Sequence, residues 1–236
     1  MLQMFPQRAL WWKPEKTLLV ADVHLGKGAT FRARGQPLPR GGSSRDLQRL
    51  SALVAQLRAQ RLVVLGDFWH SRQGLTPTLF HALQHWRRQH THLHVILVRG
   101  NHDRAISKGN VPASLGIELV DEPFPLAPGL YACHAPLLQL PSLLLAGNDD
   151  SLSRAPPLVS ANASEAFYLA GHLHPAVRLM GKGHDSTRLP CFVWQPGQLV
   201  LPAFGSLTGH LTLDLSSLQR SGARVGIVAP DAVWLV

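Results

Sequence analysis

Cysteine is scarce in this chain: Cys133 and Cys191 are the two among 236 residues. Two thiols cannot build a disulfide framework, so a reducing cytosol is the simpler expectation. Long apolar runs are also missing. The richest stretch, 137–147, is interrupted by Gln139 and Pro141 and falls short of the ~18 residues a membrane-spanning helix needs. The first residues carry Arg8, Trp11, Trp12 and Lys13 where a secretory leader would carry an apolar core. A cytoplasmic protein with no membrane partner is expected. There is no internal repeat and no low-complexity segment. Acidic residues are few: 14 Asp and Glu stand against 23 Lys and Arg, a net charge of +9 with histidine neutral. Such a surplus attracts polyanions, although GC-rich codon usage also enriches arginine. The arginines are spread along the chain, which suits a basic surface better than a basic arm.

What is present suffices for a folded core. Apolar residues make up 45% of the chain, and the length suits one domain spanning 1–236. The runs Thr17–Ala21, 62–65 and His94–Val98 read as buried strands. Between them, 45–60 carries Leu47, Leu50, Leu53, Val54 and Leu57, and 79–89 carries Leu79, Leu83 and Trp86, both at helical spacing. Strands alternating with helices of this length predict a layered α/β core. Residues 104–128 read as loop with a strand at Ile117–Val120, and 140–163 as a surface excursion. Strands are expected at 130–133 and 166–170. From Cys191 onward, turn signals at Pro196-Gly197, Ser221-Gly222 and Pro230-Asp231 separate short strands, which predicts antiparallel β structure.

Each of five strand runs ends on metal-capable residues: Asp22-x-His24, Asp67, Asn101-His102, His134 and His172-x-His174. In open α/β sheets ligands bind beyond the carboxyl ends of strands, where residues distant in sequence converge. Residues two apart in an extended backbone face the same way, so both members of Asp22/His24 and of His172/His174 can serve one site. Imidazole and carboxylate without thiolate suit manganese, iron, zinc or cobalt. Seven ligands exceed what one catalytic ion with open positions takes, but fit two ions about 3.5–4 Å apart sharing a carboxylate. Asp67 is the candidate bridge. One ion takes Asp22, His24, Asp67 and His174; the other takes Asp67, Asn101, His134 and His172. Gly66, Gly100 and Gly171 each precede a ligand and let the chain turn sharply there.

The segments 21–32 (ADVHLGKGATFR), 66–72 (GDFWHSR), 100–104 (GNHDR), 171–175 (GHLHP), 189–192 (LPCF) and 201–205 (LPAFG) together resemble the calcineurin-like metallophosphoesterase superfamily. They are most similar to its ligase-associated DNA damage response endonuclease branch. That branch has His-Glu-Pro at the fourth ligand, where this chain has His134-Ala135-Pro136. The resemblance implies a mixed α/β fold, a four-layer β-sandwich flanked by helices. It also implies a manganese-dependent phosphodiesterase acting on DNA in bacterial repair, alongside a DNA ligase, a helicase and an exonuclease-like protein. Zinc or iron would fit the same ligands, and single-stranded or flexible DNA is the expected partner.

His102 is not needed as a ligand and is placed to protonate a leaving oxygen. Asp103 can hold its other nitrogen or, equally, cap the loop. Lys27, Arg32, Arg34, Arg40 and Arg104 can bind flanking phosphates, unless the basic segment is simply a solvated loop. His70 can reach substrate or sit behind the ligands. Trp69 is the one tryptophan placed for base stacking. Two other functions remain open. One is a two-metal hydrolase of a small or lipid-linked phosphoester, for which the apolar stretch 137–145 would form a cap. The other is a non-enzymatic scaffold on the same fold.

Overall fold

Three five-residue strands, buried almost throughout, organise the first half of the chain. They are β3 (Thr17–Ala21), β4 (Arg61–Leu65) and β5 (His94–Val98), paired in parallel. In the computed structural model, which describes residues 1–104, 115–137, 166–181 and 185–236, they are joined by three further strands. β1 (Leu2–Phe5) and β2 (Ala9–Trp12) flank β3, and β6 (Ile117–Val120) flanks β5, giving six strands in sequence order.

The central strands are apolar on both faces because both faces are covered. Leu18, Val20, Leu62, Val64, Val95 and Leu97 pack with Leu47, Leu50 and Leu53 of α2 (Gly42–Leu57) and with Leu79, Leu83 and Trp86 of α3 (Pro77–Gln89). The alternate residues Leu19, Ala21, Val63, Leu65, Ile96 and Val98 pack with Ala132, Leu169, Phe192, Leu199 and Leu201 of a second sheet. The helices start earlier than their apolar spacing indicated. Thr76 caps α3 by accepting from the Leu79 amide, with Pro77 at the first helical position.

The second sheet has nine strands, seven of them running in the order β13 (Leu211–Leu213), β10 (Pro175–Met180), β11 (Ser186–Gln195), β12 (Gln198–Val200), β9 (Phe167–Ala170), β8 (Leu130–Ala132), β7 (Phe124–Ala127). β14 (Arg224–Val228) also pairs with β11, and β15 (Val233–Leu235) with β14. Its outer face packs Val177, Cys191, Val193, Val200, Val225 and Ile227 against Leu218 of α4 (Leu215–Arg220). The layers are helix, sheet, sheet, helix, the four-layer sandwich that the resemblance implied.

Some local expectations differ. The pairs β10–β11, β11–β12, β11–β14 and β14–β15 are antiparallel as expected, but β9–β12 and β10–β13 are parallel. In each parallel pair the partners are joined by a longer excursion that no turn signal reports. The basic segment after His24 is not a loop: Lys27–Ala33 forms α1, entered from Gly26 at φ 86. Its seven residues are too few to display an apolar period. The surface excursion at 140–163, and the 137–145 stretch beyond residue 137, lie outside the described residues. Among the described residues, no helix is long and apolar enough to cross a membrane.

Candidate metal centre

The two sheets of the sandwich meet at one rim, where parallel strands from both of them end. β3, β4 and β5 lead into Asp22 with His24, Asp67 and Asn101; β8 and β9 lead into His134 and His172 with His174. The loops are stitched together by backbone bonds: Asp22 N to Gly66 O at 3.2 Å, His24 N to Asp67 O at 2.8 Å and Gly171 N to His134 O at 2.9 Å.

The backbone at these ligands is unusual. Asp22, His24, Asp67, His172 and His174 have φ of 52°, 48°, 48°, 70° and 48°, all in the left-handed region. Each such non-glycine residue costs about 1–3 kcal/mol and persists where its surroundings over-determine it, typically at functional sites. The Asp-x-His and His-x-His spacings therefore do not act through extended alternation. The chain has left the strand, and left-handed residues turn the side chains inward. Gly66, at φ 75, turns the chain as expected, and a Cβ there would fall on the His134 ring. Gly100 and Gly171 have no positive φ and act through close approach instead. A Cβ at Gly100 would strike the Asp67 carboxylate, and one at Gly171 would lie 2.7 Å from both Ala21 Cβ and Asp22 Oδ2.

Metal-capable atoms form three trios, His24/His70/His102, Asp22/His24/His174 and Asp67/His134/His172, each within 4.8 Å of one another, and the last two hold six of the seven expected ligands. Asp67 faces both: Oδ2 lies 3.7 Å from His24 Nε2, and Oδ1 lies 3.7 Å from His134 Nε2. His134 Nδ1 donates to the Leu65 carbonyl at 3.1 Å. The Nε2 lone pair of neutral His134 then meets the Asn101 Oδ1 acceptor at 2.8 Å. A cation relieves that opposition, and otherwise a proton does. Burial would lower the His134 pKa, but the Asp67 and Asp22 carboxylates raise it above its ordinary value.

Three buried atoms, Asp22 Oδ1, His24 Nε2 and His174 Nε2, have no hydrogen-bond partner among the described residues. An unmet buried polar atom costs about 1–3 kcal/mol, and three converging ones suit a divalent cation. Burial lowers His24 to about 2 and, with the charge of His134, His172 to about 4. Both are thus neutral at pH 7, the ligating form. Burial also works against Asp22, yet His174, His134 and His24 hold it down at about 2. Burial, with the charge of Asp22, lifts Asp67 to about 6. Two carboxylates of one buried site pushed apart in pKa again fit a cation that would neutralise both.

The family model for calcineurin-like phosphoesterases matches residues 15–176. The chain belongs to the calcineurin-like phosphoesterases. Among solved structures, the nuclease MPE of Pseudomonas putida is 33% identical over 100% of this chain and 94% of that one, with a TM-score of 0.73. The E. coli phosphoesterase Yfce is 15% identical over 93% of this chain and 97% of that one, with a TM-score of 0.40. No curated protein sequence matches. A calcineurin-like phosphoesterase is a metal-dependent hydrolase of phosphoesters, and the donor set above suits that chemistry.

Around the ligands of this phosphoesterase, several expected roles change. His102 is half-buried at the edge of the centre, with Nε2 3.8 Å from Asp67 Oδ2. Its Nδ1 donates to the His70 carbonyl at 2.7 Å. Asp103 therefore does not carry the catalytic role of holding that imidazole. Its buried carboxylate accepts from the Gly100 amide at 3.0 Å and the Trp69 amide at 3.2 Å, tying together the loops that bear Asn101 and Asp67. Trp69 is 2% exposed and packs edge-on against Phe68, so it is no stacking platform.

His70 lies behind the ligands, its Nδ1 3.3 Å from Nδ1 of His24. Burial, with the nearby charge of Lys27, lowers it to about 4, so it is neutral at pH 7. Lys27 is half-buried and feels the charges of Asp67 and Asp22, which puts it beside the centre. Arg32 donates to the Leu38 and Pro39 carbonyls at 3.3 and 3.2 Å. With Arg40 it lines a cavity of about 360 Å³ bounded by Gly42 and Ser43 of α2, apart from all seven ligands. Arg104 pairs with Glu122 Oε1 at 3.1 Å. The other Glu122 oxygen accepts from the amides of His134 at 2.7 Å and Ala135 at 3.0 Å. Glu122 thus orients a ligand loop. Lying just after an edge strand, it carried no spacing signal that could have found it.

Proposed function

We propose that this phosphoesterase is a dinuclear-metal phosphodiesterase that cuts DNA, single-stranded or flexible, in bacterial DNA repair. The observation that carries it is Asp67, whose Oδ1 faces His134 within its own trio and whose Oδ2 faces His24 of the neighbouring one. One ion would be held by Asp22, His24, Asp67 and His174, and the other by Asp67, Asn101, His134 and His172. Divalent ions there supply charge neutralisation at the phosphoryl group and lower the pKa of an attacking water. The all-nitrogen-and-oxygen donor set suits manganese, with zinc and iron also acceptable. His102, with Nδ1–H committed to a carbonyl, presents an Nε2 lone pair, so it would first take up a proton there and then pass it to the leaving oxygen, against a pKa that burial lowers. Lys27 adds positive charge beside the centre, and Arg40 lies further along the adjoining surface.

Nucleic acid as substrate is supported by the one-third identity with nuclease MPE and by the net charge of +9. A cytoplasmic location, and work alongside a ligase, a helicase and an exonuclease-like protein, follow from the sequence resemblance alone. The test is a substrate panel with metal-stripped protein and added manganese, zinc or iron. It includes single-stranded DNA, duplex DNA, RNA, an aryl phosphodiester, an aryl phosphomonoester and a lipid-linked diphosphate. Manganese-dependent cleavage of single-stranded DNA is expected. Turnover confined to the monoester or the lipid diphosphate would overturn the assignment.

A further inference from the structure

His70 touches two different parts of the reaction machinery at once. Its side-chain Nδ1 lies 3.3 Å from Nδ1 of the ligand His24, and its backbone carbonyl accepts from Nδ1 of His102 at 2.7 Å. A carbonyl only accepts, so His102 carries its proton on Nδ1 and turns Nε2 toward Asp67. In His24 it is Nε2 that faces Asp67 Oδ2 and lacks a partner among the described residues. A metal donor needs its lone pair there, which leaves the His24 proton on Nδ1. One of two facing Nδ1 atoms must donate and the other accept. With His24 donating, His70 accepts and keeps its own proton on Nε2.

We infer that His70 is a positioning residue that sets the tautomer and ring orientation of His24 through its side chain and of His102 through its carbonyl, and is not a substrate contact. The site is built to keep it in place. Its ring lies between Phe31, at 5.9 Å and 16°, and His102, at 5.1 Å and 26°. Its amide donates to the Leu25 carbonyl at 3.0 Å, one residue past His24. Partners that hold the second nitrogen of a ligating histidine fix its tautomer and raise its basicity, and their loss typically costs about 10–100-fold in metal affinity or activity. The inference rests on His24 being a ligand of the metal centre.

Two variants separate hydrogen bonding from bulk. His70→Asn puts an acceptor where Nδ1 stood; His70→Phe keeps a ring for stacking and removes the acceptor. Metal-stripped protein is titrated calorimetrically with Mn²⁺, with no substrate present. His70→Phe should weaken one of two binding events by about 10–100-fold and spare the other, while His70→Asn stays close to the parent. Nitrogen NMR of the zinc-loaded parent should show Nδ1–H tautomers for both His24 and His102. The inference is overturned if His70→Phe binds both ions as tightly as the parent, or if both variants are weakened alike. It is also overturned if metal binding holds while KM for DNA rises, the signature of a substrate contact. Should His70→Phe not fold, an Nε2–H tautomer of His24 in the parent overturns it. Because these readouts need no substrate, failure to cleave DNA would sink the proposed function and leave this inference standing. A parent that binds no divalent ion would overturn both.

Discussion

Asp22 Oδ1 and His174 Nε2 face each other at 3.4 Å across the seam between the two sheets. Both atoms are buried, and neither has a hydrogen-bond partner among the described residues. A carboxylate oxygen and an imidazole nitrogen so placed would suit a shared cation. The fold therefore holds strain, in left-handed backbone and in unmet polar atoms, at the place where a metal would relieve it.

In the proposed two-ion arrangement Asp67 would bridge the ions. Asp67→Ala should lose both, read by elemental analysis of purified protein, because Asp67 belongs to one trio and its Oδ2 faces His24 of the other. A fully active parent with a single ion per chain would exclude the bridge.

His102 groups with His24 and His70 and belongs to neither trio that contains Asp22 or Asp67. His102→Ala should keep its metal content and lower turnover on DNA by about 10²–10⁴-fold. The loss should shrink on an aryl phosphodiester, whose leaving group needs little protonation. Metal loss in this variant, or an undiminished rate on DNA, would remove the proton-transfer role.

Metal affinity should fall with acid in a defined window. A ligand must shed its proton before it binds a cation. Burial lifts Asp67 to about 6, whereas Asp22 and His24 lie near 2 and His172 near 4. Above pH 6 the Asp67 carboxylate is free. Below pH 6 a proton occupies it, and affinity should drop by about tenfold per pH unit or more, since His134 is raised as well. Mn²⁺ titrations at pH 7, 6 and 5 read this directly; a flat affinity across them would show that Asp67 is not a ligand.

Gly66→Ala combines a backbone penalty with a collision. The left-handed φ of 75° costs an alanine about 1 kcal/mol, and the added Cβ falls on the His134 ring. The melting temperature should fall, and binding of the ion held by His134 should weaken more than that of its neighbour. Wild-type melting and two unaltered binding events would show that His134 can move freely, contrary to its bond with Leu65.

Positive charge should matter for long substrates only. DNA affinity should fall with salt with a slope of about −0.7 per neutralised phosphate on single strands. Arg40→Gln, remote from the centre, should lessen that slope and raise KM for DNA while leaving an aryl phosphodiester almost unaffected. Equal insensitivity of both substrates would count against a nucleic-acid substrate and leave the phosphoesterase chemistry untouched.

The sequence alone determined the strands and picked out the metal-capable residues at their ends. An apolar run such as Thr17–Ala21, stopping abruptly at a carboxylate, is a local pattern, and five such endings in order are legible without coordinates. A layered α/β core was legible from strands alternating with helices, and the four layers only from the family resemblance; the structure showed that alternate residues such as Leu18 and Leu19 serve two different cores. Only the tertiary structure decided how the ligands converge. Left-handed backbone at His24 and His174, where extended alternation was expected, arises from loops of two sheets packing together. It likewise decided that Asp103 serves amides, that Glu122 holds the His134 loop and that His70 faces His24. Apart from the local bond of Asp103 to Gly100, those pairings join residues a dozen or more positions apart. Their geometry follows from where two sheets meet, and no local period in the sequence encodes it.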